Sequence, residues 1–408
     1  MANAQDIPAL LATETKRAKS DANLLAAQLT SNPASVFDLW QEMEADAAVT
    51  FHQSRAWVEA WAEGTGAELS IVTLEQNGIP FAVLPLEIEQ MGGLKIARFA
   101  GTAYSNENTG LVDTNTQGRI EAVSSVELAT ALSQAGLAAD IVLFDKMTTE
   151  AAARKPYSAL PRVFHQNPSF QLPLFEDFGA VLAQINGKRR RKKFRVSERR
   201  LAALGGYRHL TGDTNAQALR LLDTFLEQKP VRLTSQGLPN VFADPGIRAF
   251  LRQLATTRDA DGKPALDLHG IELSGGEHAG QIIAVAGLTI KDRHVTCQFG
   301  SINEDIAADV SAGELLFFLM IERASAAGHQ VFDFGVGDQL YKRSWCPQRT
   351  ELVDCYVPLN FKGRLAAPVI AGMIQLKRAI KTSPVLHRIA ARARGFMVQK
   401  SRPQPETD

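Results

Sequence analysis

The sequence predicts an α/β protein built from two copies of one unit, each a mixed, mostly antiparallel sheet flanked by helices. Three observations lead there. A length of 408 residues is more than one small core normally organises. A β-hairpin followed by a third strand occurs at 69–101 and again at 268–301, each time closing on a Phe with a Gly within two residues, FAG and FGS. In both halves a helix and a further strand come next. A hairpin alone is common, but the whole ordered series occurring twice argues for duplication.

Residues 1–33 are Ala-rich and polar and read as a flexible leader, with order expected from about Val36. SVFDLWQEME and SRAWVEAWAEG have helical spacing, with Phe37, Trp40, Trp57, Val58 and Trp61 on their apolar faces. LSIVTLEQNGIPFAVLPLEI (69–88) is two β-rich runs hinged at Asn77-Gly78, a hairpin signature. GLKIARFAGT supplies the third strand, a helix is expected around 118–136, and DIVLFDKM (140–147) closes a first domain at 34–160. The second domain, 161–360, starts with a strand at 170–174 and a basic helix. Helices follow at 214–229 and 244–258, then the hairpin 268–290, the strand 293–301, a helix at 313–328, a strand at 329–335 and a last strand at 351–359. Residues 361–408 form a basic helical tail.

Composition narrows the function. Apolar residues make up 45% and charged residues 22%, as in a folded globular chain. Lys+Arg and Asp+Glu both number 44, so global charge implies no polyanionic partner. Cys297, Cys346 and Cys355 are widely spaced and lack metal-ligand geometry, which predicts a reducing compartment, no zinc site and no disulfide framework. No secretory signal and no bilayer-length apolar run is evident, and a cytoplasmic protein is expected.

Charge is concentrated locally. Nine of the thirteen positions from Lys188 to Arg200 are basic, yet Phe194, Leu201 and Leu204 can form one apolar stripe, so the run reads as a packed helix rather than a nuclear signal. From Lys362 to Arg402 there are ten basic residues and no acidic one, beside the apolar Val369, Ile370, Met373, Ile374 and Leu376. That tail is either a basic amphipathic helix on an anionic membrane or a terminal helix docked on the core.

Two stretches can carry chemistry. In SINEDIAADVSAGELLFFLM (301–320) a polar loop leads into a helix near Gly313. The first turn of such a helix is a natural anion site, with Ser311 able to cap and Gly313 allowing close approach. Glu304, Asp305, Asp309 and Glu314 work against a phosphate there, and an ordinary buried helix explains the same residues. In FDFGVGDQLYKRSW (332–345), Asp338 and Tyr341 are three apart. A phenol there can protonate a leaving thiolate and a carboxylate can accept a proton from an amine or hydroxyl. Equally, Asp338 can be a helix cap and Tyr341 can pack on Trp345.

The order hairpin, third strand, loop and helix, strand, Tyr-bearing helix resembles the Gcn5-related N-acetyltransferase (GNAT) fold. GKRRRKKFRVSERRLAALGG, FLEQK, FADPGIRAFLRQLA, SAGELL and above all FDFGVGDQLYK resemble the CelD-type acetyltransferases associated with bacterial cellulose and exopolysaccharide synthesis. Paired GNAT-like halves also resemble the FemABX peptidyltransferases. The resemblance implies acetyl-CoA or another acyl-CoA as co-substrate and no metal. Its pyrophosphate would lie at Ser311, Ala312, Gly313, Glu314 and Leu315, although of the family's loop pattern the positions of Ala308, Ser311 and Gly313 match only at the last. Tyr341 would be the acid for the departing thiolate, Asp338 its companion, and a backbone N–H near Phe299, Gly300 and Ser301 would polarise the thioester. The resemblance also places the basic helix beside the acceptor cleft, which makes Lys188 and Arg191 candidates for substrate binding, with Lys229 of FLEQK a third. A small-molecule or glycan-precursor acceptor is implied; nucleic acid is not expected, unless the donor is an aminoacyl-tRNA as in the FemABX group. Peripheral contact with an anionic membrane or a polysaccharide synthase is compatible with these features, and a non-catalytic GNAT scaffold that assists such a synthase is the alternative to an enzyme. The first half lacks counterparts of SAGELL and FDFGVGD and is expected to be catalytically silent.

Overall fold

The computed structural model describes residues 25–382. The expected leader up to residue 24 and the tail beyond Thr382 lie outside the described residues. The first half comprises β1 (Leu25–Thr30), α1 (Phe37–Glu44), α2 (Arg55–Thr65), β2 (Leu69–Gln76), β3 (Ile79–Met91), β4 (Leu94–Phe99), β5 (Leu111–Val112), α3 (Ser125–Gln134), β6 (Ile141–Thr148) and β7 (Arg162–Phe164). The second continues with β8 (Ser169–Pro173), α4 (Phe178–Ala183), α5 (Gly187–Ala203), β9 (Tyr207–Thr211), α6 (Asn215–Ser235), α7 (Pro245–Thr256), β10 (Asp267–Leu273), β11 (Ile282–Lys291) and β12 (His294–Ile302). It ends with α8 (Glu304–Val310), α9 (Ala312–Ala326), β13 (Val331–Val336), α10 (Leu340–Trp345), β14 (Gln348–Thr350), β15 (Leu352–Pro358) and α11 (Phe361–Thr382).

Local chemistry accounts for most boundaries. Asn77 and Gly78 both take positive φ, the geometry of a two-residue hairpin turn, and join Gln76 to its partner Ile79. Asp292 does the same between Lys291 and His294. A capping box between Ser124 and Glu127 starts α3 at Ser125, later than the expected 118. Order begins earlier than expected: Leu25–Thr30, read as leader, pairs antiparallel with β2.

The two sheets repeat one plan. The first runs β1-β2-β3-β4-β6-β15-β7, with β5 alongside β3, and the second β9-β10-β11-β12-β13-β8-β14. Each has a single parallel contact at the same place, β4 with β6 and β12 with β13. The duplication read from the sequence is therefore present in space. One arrangement is unexpected. The strand beside β6 in the first sheet is β15, from the end of the chain, and its equivalent beside β13 in the second is β8, which follows the first unit. The units have exchanged one strand each, and the domain boundaries expected at 161 and 360 do not hold: β7 and β15 both belong to the first sheet.

Three cores result. One lies between the first sheet and α3, and one packs α4, α5 and α9 on the second sheet. The third is shared: Trp57 and Trp61 of α2 meet Phe250 of α7 edge-on at 4.9 and 5.3 Å, with Phe225, Phe242 and Phe299 around them. A Cβ on Gly64 would lie 2.4 Å from the Phe250 backbone nitrogen, so α2 and α7 touch main chain to main chain.

Because β6 and β7 are paired through β15, residues 25–165 alone would expose two unpaired edges. Expressed alone, that segment is expected to lack native circular dichroism. The whole chain should unfold in one transition by fluorescence and circular dichroism; two separated transitions would contradict the shared core.

Candidate active site

Strands β12 and β13 pair only from His294–Val331 to Thr296–Asp333, and beyond that point they part. On its other side β12 pairs Cys297 with Leu288 but Phe299 with Gly287, so Gln298 is an extra, bulged residue. The bulge reverses the alternation of the strand. Val295 and Cys297 face the core under α9, whereas Phe299 faces the shared core and stacks on Phe225 at 4.0 Å. A Cβ on Gly287 would meet the Phe299 ring at 2.6 Å, which is why glycine stands opposite the bulge.

Several functional groups converge on the splay. The Tyr341 ring stacks on Phe317 at 5.4 Å and meets Phe334 at 5.8 Å. Its hydroxyl has no hydrogen-bond partner among the described residues, and burial pushes the phenol above its ordinary value, so it stays protonated. Lys342, not singled out by sequence, donates from Nζ to the carbonyls of Gly335 (3.0 Å) and Val336 (2.8 Å), and burial lowers it to about 8. Lys229 reaches the same region from α6 and donates to the Gly300 carbonyl at 2.9 Å; burial lowers it too. Burial pushes the Cys297 thiol up to about 11, which leaves it an unreactive neighbour. Ser301 donates its hydroxyl to Gln228 at 2.9 Å. Asp338 precedes α10 rather than sharing a helical face with Tyr341. Arg343 grips its carboxylate through two hydrogen bonds that hold it below the usual range.

The first unit reaches into this opening. Asn106 accepts the Val336 N–H at 3.0 Å and donates to Gln298 Oε1 at 2.8 Å, so one side chain spans the two parted strands. Gly335 has φ +72°, and a Cβ there would overlap Asn106 Oδ1 at 2.1 Å. Gln298 also donates to His52 Nε2 at 2.9 Å, and burial lowers His52 to about 4, keeping it neutral. Beside this bridge lies a cavity of about 590 Å³ between the units. His294 and Asp333 form part of its wall, with Glu107 opposite. The His294 imidazole contacts Asp333 Oδ2 at 3.3 Å, and Asp333 also accepts from Ser169 Oγ (2.9 Å), Gln171 Nε2 (3.0 Å) and the Gly335 N–H (2.6 Å). Burial alone would raise Asp333, but these donors outweigh it and hold the carboxyl low. Burial likewise opposes the His294 charge, and Asp333 and Glu107 overcome it, so His294 is raised. Burial, with Asp333 nearby, pushes Glu107 up to about 7.

The expected phosphate loop takes a different form. Residues 304–310 are helix α8, capped by Asn303 at its start and closed by Ser311, which takes positive φ and bonds the Ala307 carbonyl through its N–H, while its side chain makes no cap bond at the start of α9. Ala312 and Leu315 are buried, and Gly313 lies against Ile302. The amides of Glu314 and Leu315 already bond the Ser311 carbonyl. Glu314 is paired with Arg190 at 2.5 Å and Lys193 at 3.4 Å. Arg190, the buried member of the basic run, also donates to the Ser344 carbonyl and hydroxyl and lies over the Trp345 ring at 3.9 Å. Phe194, Leu201 and Leu204 form the expected stripe against α9, with Phe194 stacked on Phe318. Lys188 and Arg191 are exposed, whereas Lys229 lies beneath the opposite face of the sheet, so these three do not form one site. Among the described residues, no group of three or more His, Cys, Asp or Glu is placed to hold a metal ion.

Comparison with known proteins bears on the fold. Residues 188–343 match the model of a family described as an acetyltransferase (GNAT) domain. Among solved structures, the crystal structure of FemX superposes with TM-score 0.57 at 13% identity, over 81% of this chain and 98% of FemX. The C-terminal domain of a putative lysylphosphatidylglycerol synthetase from Agrobacterium fabrum gives TM-score 0.49 at 11% identity, over 82% of this chain and 96% of that domain. No curated protein sequence matches. At such identity the FemX likeness shows the fold alone, and the segment that matches the family model lies in the second of the two repeated units.

Lys342 generates a pH-dependent expectation. Folded, it holds its proton only below about 8; unfolded, it does so up to the ordinary lysine range. Between those limits the unfolded chain binds the extra proton, so this group's contribution to stability rises with pH; below about 8 it is flat. From about pH 7 to about pH 9.5, the wild type should gain on the order of 1–2 kcal/mol relative to Lys342→Met in urea denaturation. A pH-independent difference would show that Lys342 is not depressed.

Proposed function

We propose that the protein is a GNAT-type acyltransferase, taking an acyl-CoA in the splay of β12 and β13 and passing the acyl group to an amine or hydroxyl held in the cavity between the units. The observation that carries this reading is the parted, bulged strand pair with Tyr341 on one side and the cavity on the other. A bulge releases a backbone group from the ladder, and an N–H freed beside Gln298–Phe299 is suited to polarise a thioester carbonyl. The acceptor attacks the carbonyl carbon, the C–S bond breaks, and the thiolate takes the proton of Tyr341. The acceptor's own proton passes to His294, oriented by Asp333, or to Glu107, whose value of about 7 suits proton transfer near neutrality. Asp338, tied to Arg343, is given no proton-transfer role.

The donor's phosphates need positive charge, and the start of α9 presents Glu314. Arg190 and Lys193 bring the basic helix against that start, and the exposed Lys188 and Arg191 of the same helix are assigned to the CoA phosphates. The CelD-like motif FDFGVGDQLYK favours a glycan precursor as acceptor, in cellulose or exopolysaccharide synthesis. An aminoacyl-tRNA donor is the second reading: the same basic helix suits a longer polyanion, and the departure at 308–313 from the CoA loop pattern favours it.

Acetyl-CoA is expected to raise the thermal midpoint more than free CoA. No shift with any acyl-CoA, together with salt-sensitive retention of tRNA, would favour the second reading. With an amine or sugar acceptor in turnover, Tyr341→Phe should lower kcat by roughly 10²-fold or more, and an unchanged rate would remove Tyr341 as the acid.

Lys188→Gln combined with Arg191→Gln should raise KM for the acyl donor by about fivefold while leaving kcat intact. A loss confined to kcat would instead implicate the acceptor side.

A further inference from the structure

Helix α11 leaves the last strand and lies on the outer face of the first sheet. It packs through Gly363, Ala367, Ile370 and Ala371 against Ile96, Ile141 and Leu143. The seat is tight at its start, where a Cβ on Gly363 would fall 1.9 Å from the Asp140 carbonyl. The opposite face is also apolar. Phe361, Leu365, Val369, Met373 and Leu376 follow one another at spacings of four, four, four and three, and are 73, 60, 60, 49 and 59% exposed. A docked terminal helix normally turns polar residues outward; this one presents a second apolar stripe to solvent. Exposed Lys362, Arg364 and Lys377 border it. Between Asp354 and Glu406 the sequence contains no acidic residue.

We infer that the exposed stripe of α11 seats the protein on the surface of an anionic lipid bilayer. The apolar side chains enter the acyl boundary and the flanking lysines and arginine meet the headgroups. The helix lies along the surface, since no helix of the described residues is long and apolar enough to cross a membrane. Charge separates this occupant from the alternatives. A second copy would oppose basic rims with no carboxylate to pair them, and the chain beyond Thr382 adds five further Lys or Arg up to Arg402 and no acid. The far end of the helix also lies on the catalytic side. Arg378 pairs with Glu351 at 2.9 Å, and its neighbour Thr350 lines the cavity between the units. Membrane seating therefore keeps the cavity wall at Thr350 next to the lipid-bound helix.

Co-sedimentation of the full chain with phosphatidylcholine vesicles, with and without phosphatidylglycerol, tests this. Binding is expected with phosphatidylglycerol and not with phosphatidylcholine alone, and it should weaken as salt is raised. Leu365→Asp with Met373→Asp should cut binding by about tenfold or more at unchanged circular dichroism and thermal midpoint. Arg364→Gln with Lys377→Gln, which leaves the stripe intact, should weaken binding to the anionic vesicles severalfold and guards against misfolding of the first pair. The inference is overturned if the full chain ignores anionic vesicles, binds neutral ones equally, or keeps its affinity in both variants. It is also overturned if sedimentation velocity shows a dimer that the Leu365/Met373 variant turns into monomer, for then the stripe joins two copies.

Discussion

Each sheet is completed by a strand from beyond its own unit, and the site depends on that exchange. β8 lies next to β13, and its Ser169 and Gln171 supply two of the donors that hold Asp333. Without this strand the buried carboxylate would keep His294 and the Gly335 amide but lose half its hydrogen bonds. A buried charge stripped of donors is costly, so the exchange stabilises both the sheet and the charged pair in the cavity wall. The reciprocal strand, β15, carries the chain back to the first sheet and delivers α11 to its outer face. One topological feature thus places the polar wall of the cavity on one side and α11 on the other.

The first unit lacks loop and Tyr-helix motifs, yet it is not a spacer in structural terms. Where β12 and β13 separate, their facing groups have lost each other as partners, and water or another side chain has to satisfy them. Asn106 does so for β13 from the neighbouring unit, its carbonyl taking the Val336 N–H while its amide meets the Gln298 side chain on β12. His52 and Gln298 extend the network, and low-dielectric surroundings make each fully satisfied bond worth more and each orphan more costly. The width of the opening is therefore set jointly by both units.

The fold was legible wherever the signal was local. Asn77-Gly78, the repeated Phe-Gly strand ends and the apolar stripe of Phe194, Leu201 and Leu204 all lie within short windows, and each element is found where those residues are. FDFGVGDQLYK could be singled out as a candidate stretch because it is contiguous. The exchanged strands were not: nothing in SFQLP or LVDCYVP states which sheet will accept them, since pairing partners are far away in sequence. β1 was missed because LAAQLT has few β-branched residues, and its place is decided by the edge of β2. Asn106, His294 and Asp333 are single polar residues more than 35 residues apart or in different units, and only the sheet brings them together. The polar run 304–310 reads as a loop because its charges hide a helical turn that Asn303 caps.

The basic run shows why net charge is a poor guide to role. Eight of its nine cations face outwards or sideways, and the one that is buried does the structural work. Arg190 reaches Glu314 at the start of α9 and Ser344 near the end of α10, with Trp345 beneath its guanidinium. A planar, always-charged fork can satisfy a carboxylate, a carbonyl and an aromatic face together, which a lysine cannot. That single side chain ties the helix expected to meet the donor's phosphates to the helix that carries Tyr341. Lys193 pairs with the same Glu314 and Arg200 donates to the Asp309 carbonyl, so two further cations of the run offset the acidic side chains and carbonyls around the start of α9.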